Sequence, residues 1–200
     1  MIAYNKNILF KYLIYGWIIL FLVIIFSAIM LFAINYYNPN VIKHLFNLII
    51  NNMAVAPNTK PGWNAFVEIL KNNEVAGFWL ILIGLIPIPG LYWLVVIGMG
   101  SMLGVILTLS CIKTNFLTAV LEFGIGIMPH GIFEFSAMFL IIGLSSQINN
   151  HIYWFIYKRL RQDKRKEKFN WKIILFQYLI ISVSLIVIAA LIESFITPLI

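Results

Sequence analysis

Charge is scarce in this sequence: only 10% of its 200 residues are Asp, Glu, Lys or Arg, where a soluble domain carries about a quarter. A single cysteine, Cys111, excludes an intramolecular disulfide and any thiolate metal cluster. Its place at the end of an apolar run suits a small apolar filler. The usual catalytic motifs are missing as well. No Walker motif, Gly-rich nucleotide fingerprint, acidic metal cluster or H-E-x-x-H occurs, and Ser101 follows Gly100 without a G-x-S-x-G context. The residues make no positive case for an enzyme, and no cofactor is expected.

Hydrophobicity is what the chain has in excess, at 62% of residues and a mean hydropathy of +0.96. Several apolar runs reach the roughly 18 to 20 residues that read as membrane spans, so lipid is the expected solvent. The expected fold is all-α, a polytopic integral membrane helical bundle with residues 1–200 forming one transmembrane domain. The net charge of +7 is concentrated beside one span, where membrane topology explains it. No nucleic-acid partner is expected.

Lys6 and Lys11 precede an apolar run from Tyr12 to Ala33. That run exceeds the roughly 7 to 15 residues of a signal-peptide core and reads as a permanent first span. Asn35, Asn38, Pro39 and Asn40 end it. Residues 38–62 then read as an extracellular loop, with an interfacial helix at Val41 to Ile50 whose Val41, Leu45, Leu48 and Ile49 share one face. A helix starting near Trp63 carries Glu68, Lys71, Asn72 and Asn73 at the interface, enters lipid near Val75 and leaves it near Ile86.

From Val75 to Ile112 there is no formal charge. As one helix this run would overshoot a hydrocarbon core of about 30 Å. It must fold back, and Pro87, Pro89 and Gly90 supply the turn. The next span, Leu91 to Ile112, holds Gly100 and Gly104 at the small-xxx-small spacing that lets helices approach closely. Packing within one molecule is the first reading of this pair and self-association into a homo-oligomer the second. Phe116 to Met128 is apolar but too short to cross, and Pro129-His130-Gly131 interrupts it. It reads as a re-entrant half-helix, with a tilted crossing as the alternative. Ile132 to Tyr157 follows, losing hydrophobicity at Gln147, Asn149, Asn150 and His151 before a Tyr153, Trp154 and Tyr157 belt.

Residues 158–172 hold eight basic residues against Asp163 and Glu167. By the positive-inside rule this loop is cytoplasmic, and Lys6 and Lys11 put the N-terminus on the same side. Four crossings between them satisfy the required even number. Ile173 to Phe195 then carries the C-terminus outside, giving five spans plus one half-helix, or six spans if the short element crosses.

An ionisable side chain within the hydrocarbon costs about 2.5 to 3.5 kcal/mol on insertion scales and so needs a partner or a cavity. Glu122 lies in the half-helix, His130 and Glu134 flank its end, and Glu193 sits near the end of the last span. His130 and Glu134, four residues apart, share one helical face, and Pro129 suits the first turn of their helix. The pair reads either as a clamp between helices or as the lining of a polar site that handles protons or substrate. As metal ligands they number two where zinc normally takes three or four, so no metal is expected.

The run Met128-Pro129-His130-Gly131-Ile132-Phe133-Glu134-Phe135-Ser136-Ala137, the earlier Asn72-Asn73, and the closing Ala189-Ala190-Leu191-Ile192-Glu193-Ser194-Phe195-Ile196-Thr197-Pro198 resemble, in order and spacing, the stage II sporulation protein M family over roughly residues 63 to 200. The resemblance implies a bacterial or archaeal inner-membrane protein without established catalysis. The family's namesake holds cell-wall hydrolases at the engulfing septum. Other relatives accompany circular bacteriocin genes and assist peptide maturation, export or self-protection. The His130 to Glu134 motif is similar to the broad branch rather than to the sporulation members. The resemblance attaches importance to Asn72, Asn73, Pro129, His130, Gly131, Glu134, Glu193 and Pro198.

The expected function is a non-enzymatic membrane scaffold or maturation factor that engages a protein or peptide partner. A transporter of a small solute, ion or peptide with its polar site at the broken helix is the alternative.

Overall fold

In hydrocarbon every backbone N–H and C=O must find its partner within the protein, and helices meet that demand segment by segment. A computed structural model describes residues 6–42, 44, 47, 61–161 and 171–199, and the regular elements among them are all helical. These are α1 (Lys6–Tyr37), α2 (Trp63–Gly84), α3 (Trp93–Lys113), α4 (Phe116–Gly126) and α5 (Met128–Arg161). A closing run, Trp171–Leu199, comprises α6 (Trp171–Gln177), a π-helical turn Tyr178–Ser182, α7 (Val183–Leu191), a second π turn Ile192–Ile196 and a 3-10 turn Thr197–Leu199. Most of the expected interfacial helix and residues 162–170 of the basic loop lie outside the described residues.

Among the described residues, four helical stretches are long and apolar enough to cross a membrane: Ile8–Tyr37, Trp93–Lys113, Met128–Tyr157 and Trp171–Leu199. The chain forms an all-α helical membrane bundle. α2, at 22 residues, measures about 33 Å along its axis but carries Glu68, Lys71 and Glu74. It is one continuous helix from Trp63, so the interfacial extension and the lipid-entering half expected at Val75 are a single element. α4 has 11 residues, about 16 Å, roughly half a hydrocarbon core.

The packing register orients the helices. Trp17 donates to Ser136 and Tyr12 meets Ser146, so α1 and α5 run antiparallel. On α3, Gly100 faces Val23 and Gly104 faces Ser27, so α1 and α3 run parallel. Gly77 and Gly84 of α2 face Ile141 and Ser145, making α2 parallel to α5. Ile174 packs with Leu9, Leu144 and Ile148 at one end of the closing run, while Thr197 reaches His130 at the other. One end of the bundle therefore gathers the start of α1, the α2–α3 turn and the start of the closing run. The opposite end gathers Trp63, the start of α5 and Leu199.

α5 is the central helix, with 72% of its most apolar stretch buried against 17% for α1. Small residues let its neighbours in: Gly143 receives Leu9 and Tyr12, Ser145 lies against Gly84, and Ala137 is fully buried. Polar groups then fasten the contacts. Ser145 Oγ donates to Leu80 O at 2.8 Å, Tyr92 donates to Ser146 Oγ at 3.1 Å, and Asn149 Nδ2 donates to Ile86 O. Asn149, one of the polar residues at which the span loses hydrophobicity, is 1% exposed and holds the α2–α3 turn. In that turn Gly90 takes φ +83°, a conformation glycine adopts without steric cost.

Candidate functional site

Asn115 ends the link after α3 and caps α4, accepting from Thr118 N–H at 2.9 Å. α4 folds back along the last turns of α3, where Ser110 Oγ donates to Glu122 Oε2 at 2.9 Å. Phe123 and Ile127 pack against the main core. The helix breaks at Ile127, whose N–H still bonds Phe123 O while its own carbonyl accepts from Gly131 N–H. Pro129 occupies the first turn of α5, where a missing N–H leaves no bond unmade. The expected half-helix and the break beside Pro129 are both present.

His130 and Glu134 follow on one face of α5. The closing run brings Glu193 to them from its second π turn. One ligand atom from each of His130, Glu134 and Glu193 lies within 4.8 Å of the other two, and all three side chains are half-buried. Such single-turn π segments inside helices occur frequently at functional sites. Locally, the Ser194 hydroxyl back-bonds to Ala190 O at 2.7 Å, an arrangement that bends a helix. Phe195 sets its ring edge-on against Trp63 of α2 at 5.2 Å.

Thr197 completes the group. Its Oγ1 lies 3.4 Å from His130 Nδ1 and 3.3 Å from Ile192 O. When the hydroxyl donates to the carbonyl, which can only accept, its oxygen is free to accept from a ring N–H. In that arrangement the His130 proton sits on Nδ1 and Nε2 is left as the acceptor. The arrangement offers one imidazole nitrogen and two carboxylates converging from two segments at one end of the bundle.

Of the residues singled out from the sequence, the fold joins His130, Glu134 and Glu193, with Pro129, Gly131 and Pro198 next to them in the chain, and leaves Asn72, Glu122, Gly100 and Gly104 with other partners or surroundings. Gly131 is buried beside them, with Phe135 3.0 Å from where a Cβ would stand. Pro198 is exposed in the 3-10 turn directly after Thr197. Glu122 is exposed on α4 with Ser110 as its partner. Asn72 is exposed on α2, and Asn73 is half-buried with Nδ2 lacking a hydrogen-bond partner. Gly100 and Gly104 pack against α1 within the molecule.

Sequence reasoning passed over Thr197, although it stands four residues beyond Glu193 and so shares its helical face. It also passed over Glu74, which accepts from Tyr178 OH at 3.1 Å and ties α2 to the closing run. An acidic residue at the edge of an apolar run was the signal available for it.

Residues 17–198 match the family model described as Stage II sporulation protein M. No curated protein and no solved structure matches the chain.

Proposed function

Because the chain belongs to the stage II sporulation protein M family, we propose that it is a non-enzymatic scaffold or maturation factor in the cell membrane. It recruits a protein or peptide partner for cell-wall remodelling, peptide export or bacteriocin maturation. The observation that carries this reading is where the polar chemistry sits. Serine and asparagine side chains along α5 are spent on its neighbours, Ser136 on Trp17, Ser146 on Tyr92, Ser145 on Leu80 and Asn149 on Ile86, which supports a rigid frame. The half-buried His130, Glu134 and Glu193 group stands at one end of that frame, where a partner entering from the membrane or its surface can reach it. The N-terminus and the basic loop on the cytoplasmic side, with the C-terminus outside, agree with the alternating helix directions.

The test is mass spectrometry of proteins that copurify with the tagged chain from its native membrane in mild detergent, beside a His130→Ala control. A stoichiometric hydrolase, exporter or peptide precursor that is depleted in the control is the expected result. Recovery of the same partner in equal amount with His130→Ala removes the group from the contact.

A second reading has its own observation: the helix break at Ile127 lies directly beside the polar group. Discontinuous helices of this kind hold substrate and ions in secondary transporters. A flux into liposomes that Glu134→Gln abolishes would favour that reading over the scaffold.

A further inference from the structure

Two carboxylates and an imidazole are an unusual set to hold together in a membrane bundle. With both glutamates ionised and the ring neutral, the group carries two negative charges in surroundings that penalise even one. A proton or a cation shared among them relieves that charge. The donors lie within 4.8 Å of one another. Donors about 2.1 Å from a tetrahedral zinc ion stand about 3.4 Å apart. Closing that difference takes changes of side-chain torsion in two glutamates, not movement of a helix.

We propose that His130, Glu134 and Glu193 form a binding site for one divalent transition-metal ion of the zinc class. The donor set selects this class: an imidazole nitrogen suits zinc and its neighbours, whereas magnesium and calcium prefer oxygen alone. Three protein ligands leave a fourth position open for water or a partner's side chain. The ion neutralises both carboxylates at once. It also joins α5 to the closing run, so the loaded protein is more stable than the empty one by an amount that grows with free metal above the dissociation constant.

Thr197 serves as the positioning residue. Its Oγ1 lies 3.4 Å from Nδ1 and 3.3 Å from Ile192 O, so that with the hydroxyl donating to the carbonyl it accepts from Nδ1–H and leaves Nε2 to the metal. Outer partners of metal-bound histidines commonly act this way. Pro129 and the break at Ile127 start α5 beside its neighbours, so that His130, in the first turn, faces Glu193 instead of bonding within a longer helix. The site goes beyond the scaffold reading and is independent of it, because the ion binds whether or not a partner is present.

The test uses the full chain purified in mild detergent, stripped with EDTA and titrated calorimetrically with zinc chloride alone. Metal content is read in parallel by elemental mass spectrometry. The expected result is about one zinc per chain and a rise in unfolding temperature on loading. Glu193→Gln keeps the shape and removes the charge. It is expected to bind no zinc while its empty form unfolds at or above the temperature of empty wild type, since the repulsion with Glu134 is relieved. Thr197→Val is expected to weaken zinc by about tenfold, the lower end of the usual cost of losing an outer partner. Failure of wild type to take up zinc overturns the proposal. Unchanged zinc affinity in Glu193→Gln overturns it too, by assigning the metal to other residues.

Discussion

Asn149 and Thr197 show how much a single polar side chain decides in this bundle. Asn149 gives its amide hydrogens to the carbonyls of Ile86 and Ile88, the two residues flanking Pro87. A turn carrying prolines leaves carbonyls without helical partners, and lipid-facing backbone cannot turn to water for them. Glycines act at the same scale through what they lack. A Cβ on Gly104 would stand 2.7 Å from Ser27 Cβ and 2.8 Å from Ile24 O, whereas one on Gly98 would meet nothing within 4 Å. Gly104→Ala is therefore expected to destabilise the protein by about 1 to 3 kcal/mol through overpacking. Gly98→Ala, six residues earlier on the same helix, is expected to be neutral or to stabilise by up to about 1 kcal/mol. Equilibrium unfolding in mixed micelles of rising SDS content reads both, and equal effects would contradict the packing of α1 on α3.

Among the elements, the closing run departs most from a regular helix. It is interrupted by π turns at Tyr178–Ser182 and Ile192–Ile196. Each begins at or next to a residue with a polar partner on another helix, Tyr178 on Glu74 and Glu193 on the His130 group. Tyr178→Phe removes the bond to Glu74 and keeps the ring. It should lower stability by about 1 kcal/mol in the same SDS titration, and no loss would mean that the π turn at Tyr178 stands without the Glu74 contact. α4 is the other special element. Its length, the Asn115 cap and the break at Ile127 were legible because each depends on residues close in sequence. Its partners were not: Ser110 meeting Glu122 and Phe123 packing on the core depend on how α4 lies against α3 and the rest of the bundle.

For the whole molecule, the helix directions place the start of α1 and the start of the closing run at one end of the bundle and Leu199 at the other. Single cysteines in a Cys111→Ala background test this against a membrane. A cysteine within residues 158–172 is expected to react with an impermeant maleimide only after permeabilisation, and one at Leu199 in intact cells. Reaction of both from the same side would require an even number of crossings after residue 172, and the closing run would then not span.

What the sequence determined by itself was the membrane class and the helix-breaking positions, and it predicted the shared end at which the structure packs Leu9 of α1 beside Ile174 of the closing run. These follow from local properties: about 20 apolar residues span the hydrocarbon, proline and glycine interrupt helices, and lysine and arginine stay on one side. It also marked His130 and Glu134 as a pair, because four residues on a helix is a local distance. Only the tertiary structure decided that Glu193 and Thr197 join them, that Asn149 and Glu74 face protein, and that Glu122 stands apart. Those meetings depend on which helix faces lie against each other. Packing of small residues on α5, α2 and α3 sets that choice, and residues far apart in the chain acquire a common neighbourhood only once it is made.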